Sequence, residues 1–233
     1  TAPIVFAGAV CGQILERRSI YTGAHIAQIH NIKDTAFDPC NIDRETIIDI
    51  RHKKIPVIND KKGTAMYNDI AKARECMDSV GGTVECAITN VPAGIGSPMF
   101  EGLENTIAQL VFGIPAVKGI EFGAGFAATK MLGSQNNDDF YVDDHGHVKT
   151  KTNNHGGILG GISSGMPIIF RVAFKPTPSI AQPQETIDYS NLTNSTIEIK
   201  GRHDPCVVLR AVPVVEAAAN IAILSHMLDY PNF

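Results

Sequence analysis

Three motifs in the last third of the chain bring together residue types that can act on an anionic small molecule. Arg202-His203-Asp204-Pro205-Cys206 places a guanidinium, an imidazole and a carboxylate side by side. Arg202 can hold a phosphate or carboxylate with two parallel N–H donors, Asp204 can accept a proton, and His203 can hold or relay one. The run also reads as an Arg–Asp ion pair at the entrance to a strand. A metal set of His203, Asp204 and Cys206 matches no standard ligand spacing. Lys175-Pro176-Thr177-Pro178-Ser179 offers an ammonium and hydroxyls on a backbone stiffened by two prolines. Such a segment suits an anion, or it is a rigid strand exit with a solvated lysine. The glycine-dense stretch from Asn153 to Gly165 either lets the backbone approach a flat or anionic ligand closely or forms tight turns.

The remaining candidates carry less chemistry. His25 and His30 fall in an apparent strand and read as structural, and His226 as part of a helix's packing or surface. His145, His147 and His155 lie near a polar loop and have no partner by spacing. The glycines at 156–161 do not open a helix after a strand, which excludes a dinucleotide fingerprint. Asp78-Ser79-Val80-Gly81-Gly82 and Pro92-Ala93-Gly94-Ile95-Gly96-Ser97-Pro98 read as turns within reach of a ligand. No serine nucleophile elbow and no flanked catalytic cysteine occurs.

The elements that must position these groups follow from hydrophobic periodicity. Helices are expected at Ile4–Arg17, Asp43–Ile50, Asn68–Met77, Met99–Phe112 and Val214–Leu228. Strands are expected at Gly23–Ile32, Thr83–Asn90, Ala116–Phe122, Ile168–Phe174, Thr196–Lys200 and Val207–Ala211. Residues 134–152, polar and rich in Asp and His, read as a mobile surface insertion. The pattern describes an α+β layered fold with antiparallel or mixed sheets and no domain boundary. At 233 residues the chain can bury a sizeable core. A net charge of -4 favours neither nucleic acid nor a membrane surface as partner, and no apolar run reads as a membrane span. Five cysteines without metal-ligand pairing suit free thiols in a reducing cytoplasm.

Taken in order, the motifs resemble the chorismate synthase family. The resemblance runs through Asp78–Gly82, Val91–Gly96, Ile114-Pro115-Ala116-Val117-Lys118-Gly119 and Gly133–Asp138, then the three motifs above, and ends in Arg210–Ala217. It implies a β-α-β sandwich assembled as a homotetramer. The implied reaction converts 5-enolpyruvylshikimate 3-phosphate to chorismate and phosphate by 1,4-anti elimination, with reduced FMN. Electrons for the flavin would come from NADPH or from an external reductase. Flavin contacts are implied at Pro115, Ala116, Gly160, Lys175, Pro176, Thr177, Pro178, Ser179 and Arg202. Asp204 is implied in proton removal, and Arg210 as a further cation toward substrate. The family's Gly-Glu-Ser-His-Gly and Arg-Pro-Gly-His-Ala-Asp motifs do not occur in this sequence. The chain is therefore expected to be the C-terminal part of a longer enzyme and inactive alone. The competing expectation is a non-catalytic module that oligomerises and binds flavin.

Overall fold

The computed structural model describes residues 1–229. In chain order the elements are helix α1 (Ala2–Glu16), strands β1 (Tyr21–Ile29) and β2 (Ile32–Lys33), helices α2 (Arg44–His52) and α3 (Asp60–Glu75), and strand β3 (Gly82–Thr89). Helix α4 (Leu103–Phe112), strand β4 (Val117–Phe122) and the short α5 (Gly133–Asn136) follow. Three small hairpins are β5 (Phe140–Val142) with β6 (Val148–Thr150), β7 (Ile158–Leu159) with β8 (Ile162–Ser163), and β10 (Gln184–Asp188) with β11 (Thr193–Ile197). Between the last two hairpins runs β9 (Ile168–Phe174), and α6 (Val208–Asp229) closes the described chain.

The main sheet has the order β2-β1-β3-β9-β4 and is antiparallel at every pairing. This is the α+β class expected. Alternation along each strand divides the sheet into two chemically different faces. Ala24, Ile26, Val84, Cys86, Ile88, Phe170 and Val172 point to one face and join a core completed by α4 and α6. The opposite face is covered by α2 and by Phe37, and there Gly23 leaves room for Ile47, whose Cγ2 would lie 2.8 Å from an added Cβ.

That second face carries a row of charges, because the register sets His25 opposite Glu85, and Arg171 opposite both Glu85 and Glu121. His25 Nδ1 lies 3.1 Å from Asp34 Oδ2, and Nε2 lies 2.9 Å from Glu85 Oε2. Arg171 donates from Nε to Glu121 Oε1 at 2.8 Å and reaches Glu85 at 3.6 Å. Burial pushes the His25 pKa down, but the bonds and charges of Asp34 and Glu85 outweigh it and hold the ring above the ordinary imidazole value. An isolated buried charge here would be costly, and the alternating signs offset that cost.

Several expectations shift. The expected Val207–Ala211 strand is the first turn of α6, which runs from Val208 through Pro213. Its valines and alanines pack against α1, α4 and the sheet, and this helical burial overrides the β preference of the valines. The last expected strand before it is displaced: Thr196 and Ile197 belong to β11, which pairs only with β10 in an exposed hairpin. The helix expected from Asn68 begins at Asp60, where the Asn59 side chain accepts from the N–H groups of Lys61 and Lys62. Residues 134–152, expected to be a mobile surface loop, hold most of α5 and the β5–β6 hairpin. Finally, α6 is 22 residues long and apolar enough to cross a bilayer, contrary to the reading that no run suffices, but most of its apolar window is buried in this core.

Helix α6 crosses α1 at near backbone contact. A Cβ on Gly8 would sit 2.3 Å from Ala217 Cα, and Asn220 Nδ2 donates to the Gly8 carbonyl at 3.3 Å. Gly8→Val is expected to destabilise the fold by about 3 kcal/mol through overpacking, read as a fall in denaturant midpoint at unchanged slope. A second expectation concerns the charged row. Because the folded His25 pKa is raised, its stabilisation is full below the unfolded value and is lost as pH rises through the folded one. Unfolding free energy should decline as pH rises past about 6.5, and His25→Leu should flatten that decline; identical pH profiles for the two proteins would refute it.

Candidate active site

Strand β9 carries a motif at each end. At its C-terminal end, where Phe174 pairs with Gly82, the chain continues into Lys175–Ser179. Lys175 donates its N–H to the Ala116 carbonyl at 3.0 Å, which seats Pro115 and Ala116 beside it. Ala116 holds a φ of 73°, a left-handed conformation that costs a non-glycine residue energy and that the neighbouring strand bond supports. Ser79 Oγ donates to the Thr177 carbonyl at 2.7 Å, and Val80 N–H donates to the Pro205 carbonyl at 2.8 Å. The Asp78–Gly82 turn thus joins the Lys175 segment to the Arg202 segment. The segment expected to be a turn within reach of a ligand is here the joint between the two. A Cβ on Gly81 would lie 2.4 Å from the Phe174 carbonyl oxygen, so only glycine permits this approach.

Arg202, His203, Asp204 and Arg210 line a cavity of about 500 Å³ together with Pro205 and Arg74. Arg210 forms an ion pair with Asp204. The pair sets the Asp204 carboxylate against a cation on the first turn of α6. His203 Nε2 bonds with the Ile199 carbonyl at 2.8 Å, and Cys206 N–H donates to Asp204 Oδ1 at 3.3 Å. Burial raises the Cys206 thiol pKa. Thr177 Oγ1 is buried and has no hydrogen-bond partner, so this wall offers a polar atom to a ligand.

The glycine stretch lies elsewhere. Gly156 and Gly157 pack against the start of β9, and Gly160 occupies the turn between β7 and β8 with open space around it. A seven-residue strand separates it from Lys175, a span on the order of 20 Å. Within one chain the structure therefore brings together Pro115, Ala116, Lys175 to Ser179, Arg202, Asp204 and Arg210, but not Gly160. The glycine hairpin has its own anchor. Asp138 accepts from Thr152 Oγ1 at 2.5 Å and from the N–H groups of Asn154 at 2.8 Å and His155 at 2.9 Å. His155 Nδ1 lies 2.5 Å from Asp138 Oδ2, and its Nε2 is 3.0 Å from Ser164 Oγ. Burial acts to raise the Asp138 pKa, but these bonds prevail and lower it.

The described residues thus form an α+β fold with a cleft lined by three arginines and one carboxylate. This chain belongs to the chorismate synthase family, whose pattern matches residues 1–228. A protein named chorismate synthase from Korarchaeum cryptofilum is 45% identical over 98% of this chain and 62% of its own length. One from Thermococcus kodakarensis is 41% identical over 98% of this chain and 62% of its own. A crystal structure of chorismate synthase matches with a TM-score of 0.79 at 27% identity, over 98% of this chain and 63% of that one. The chain thus spans about three-fifths of the length of these relatives.

Removing the Asp138 carboxylate leaves Thr152 Oγ1, the N–H groups of Asn154 and His155, and His155 Nδ1 without their partner at the base of the glycine hairpin. Asp138→Ala is expected to cost about 3 kcal/mol and to speed amide exchange at Asn154 and His155, measured by hydrogen–deuterium exchange. Unchanged protection at both amides would show that the carboxylate does not anchor the hairpin.

Proposed function

We propose that this chain forms one wall of a chorismate synthase site, part of an enzyme that eliminates phosphate from 5-enolpyruvylshikimate 3-phosphate in a 1,4-anti sense. The observation that carries this reading is the convergence of Ala116, the Lys175–Ser179 segment, Arg202 and Asp204 at one end of the sheet, with Thr177 Oγ1 buried and unpaired among them. Those groups suit FMN: an ammonium and hydroxyls for its polar groups, and a proline-stiffened backbone that keeps them in place. Reduced FMN, when bound, supplies electron density that assists departure of the phosphate. The chain's own residues do the rest. Lys175 and Arg202 offset negative charge on flavin and substrate. Asp204, paired with Arg210, accepts the ring proton, and pre-placed cations stabilise the charge that develops on the leaving group.

The cations and histidines of the family's missing motifs do not occur in this sequence, so the same reading has the chain bind without turning over. Assembly as a homotetramer and a cytoplasmic setting belong to the proposal too. The α1 side chains Phe6, Val10 and Ile14, 75%, 44% and 40% exposed, support burial of that helix against further protein.

Fluorescence titration tests the reading. FMN should bind the chain with quenching, and Lys175→Ala should weaken it at least ~10-fold, the loss of about 1.4 kcal/mol or more expected for a charged hydrogen bond. Equal affinity of the two proteins would remove Lys175 from the site. Chorismate formation by the purified chain, given reduced FMN and substrate, would refute the expectation that it is inactive alone.

A further inference from the structure

Arg74, on the last turn of α3, is not part of any motif that carries the family resemblance, yet it lines the cleft with Arg202, Asp204 and Arg210. Two neighbouring concavities meet it as well. One is formed with Tyr67, Ile70 and Ala71, the other with Met77, Ala181 and Gly201, and Pro205 borders all three. The position follows from the backbone. Val80 N–H is tied to the Pro205 carbonyl, and Gln182 Nε2 donates to the Cys76 carbonyl at 2.8 Å, so the end of α3 is fastened to the cleft from two sides.

The charges in this cavity do not balance. Three arginines and one carboxylate line it. Asp204 is paired with Arg210, and among the described residues neither Arg74 nor Arg202 forms an ion pair. Glu75 and Asp78 border the adjoining concavities, and neither is paired with Arg74. The dipole of α3 favours a cation in its last turn, but Lys72 would serve that purpose equally and lines none of these cavities. Arg74 and Arg202 are both exposed at the rim of this cavity, where an anion held between them would meet two cationic forks. A phosphate monoester, doubly charged and with three acceptor oxygens, matches paired forks of this kind.

We infer that Arg74 and Arg202 together form a binding site for a phosphate monoester group, with Arg74 a contact residue for that group. The inference rests on the functional reading above and deepens it. Either the flavin or the substrate can present the phosphate, and the chemistry is common to both.

Isothermal titration of the 233-residue chain separates the cases, with FMN compared against riboflavin and shikimate 3-phosphate against shikimate. Arg74→Ala should weaken at least one phosphorylated ligand by ~10-fold or more while leaving its unphosphorylated counterpart unchanged. Arg74→Lys should recover part of the loss, and Lys72→Ala, which removes a charge from the same helix outside the cavity, should have no effect. A loss confined to FMN assigns the flavin phosphate, and a loss confined to shikimate 3-phosphate assigns the substrate phosphate. Inorganic phosphate gives an arm independent of family chemistry: it should raise the melting temperature of the chain and not that of Arg74→Ala. Equal phosphate protection and equal affinities in the two proteins would overturn the inference alone. Failure of the unmodified chain to bind either phosphorylated ligand, with phosphate protection intact, would overturn the functional reading and leave the anion site standing. A chain that phosphate does not protect and that binds neither ligand would overturn both.

Discussion

The cleft depends on the pairing of β3 with β9, in register from Gly82 opposite Phe174 to Ile88 opposite Ile168. That ladder fixes where Lys175 leaves the sheet and where Gly81 enters it. Because Gly81 has no side chain, the two backbones approach closely enough for Ser79 to bond Thr177 and Val80 to bond Pro205. A slip of one residue would turn every β9 side chain to the opposite face. Phe170 and Val172 would then leave the core, and Arg171 would enter it. The hydrophobic cost on one face and the buried charges on the other both act against the slip, so the register that builds the cleft is specified twice.

The charged row has a further consequence for the sheet. Asp34, His25, Glu85, Arg171 and Glu121 alternate in sign across four strands and their cover. Asp34 also accepts from the N–H groups of Ile58 and Asn59, at 2.6 and 3.0 Å. The segment before α3 is thereby tied to the sheet, and α3 is the helix that delivers Arg74. An electrostatic arrangement on one face and the arginine-lined cleft at one end are joined through a single carboxylate.

Much of the fold was legible in the chain itself. Apolar periodicity marked α1, α4, β3, β4 and β9 within a few residues, since each buries a continuous apolar face and its pattern survives in sequence. The misreadings share a cause. Val207–Ala211 has β-forming residues but is buried between helices, and Pro213 disguised the start of α6 by sitting inside it. Arg74 escaped notice because a single arginine on a polar helix carries no signal until another segment folds beside it.

Sequence alone determined the residue types and their chemistry: the rigid Lys-Pro-Thr-Pro-Ser presentation, the Arg-His-Asp cluster and the ordered motifs that mark the family. Chain connectivity suggested that the glycine stretch belonged with them. Within one chain, tertiary structure places Gly160 and Lys175 toward opposite ends of β9 while bringing Asp78–Gly82 and Arg74 to the cleft. The physical reason is that an extended strand separates its flanks by about 3.3 Å per residue, whereas antiparallel pairing joins segments far apart in sequence. Proximity in the chain and proximity in space therefore come from different interactions, and only hydrogen-bond register sets the second.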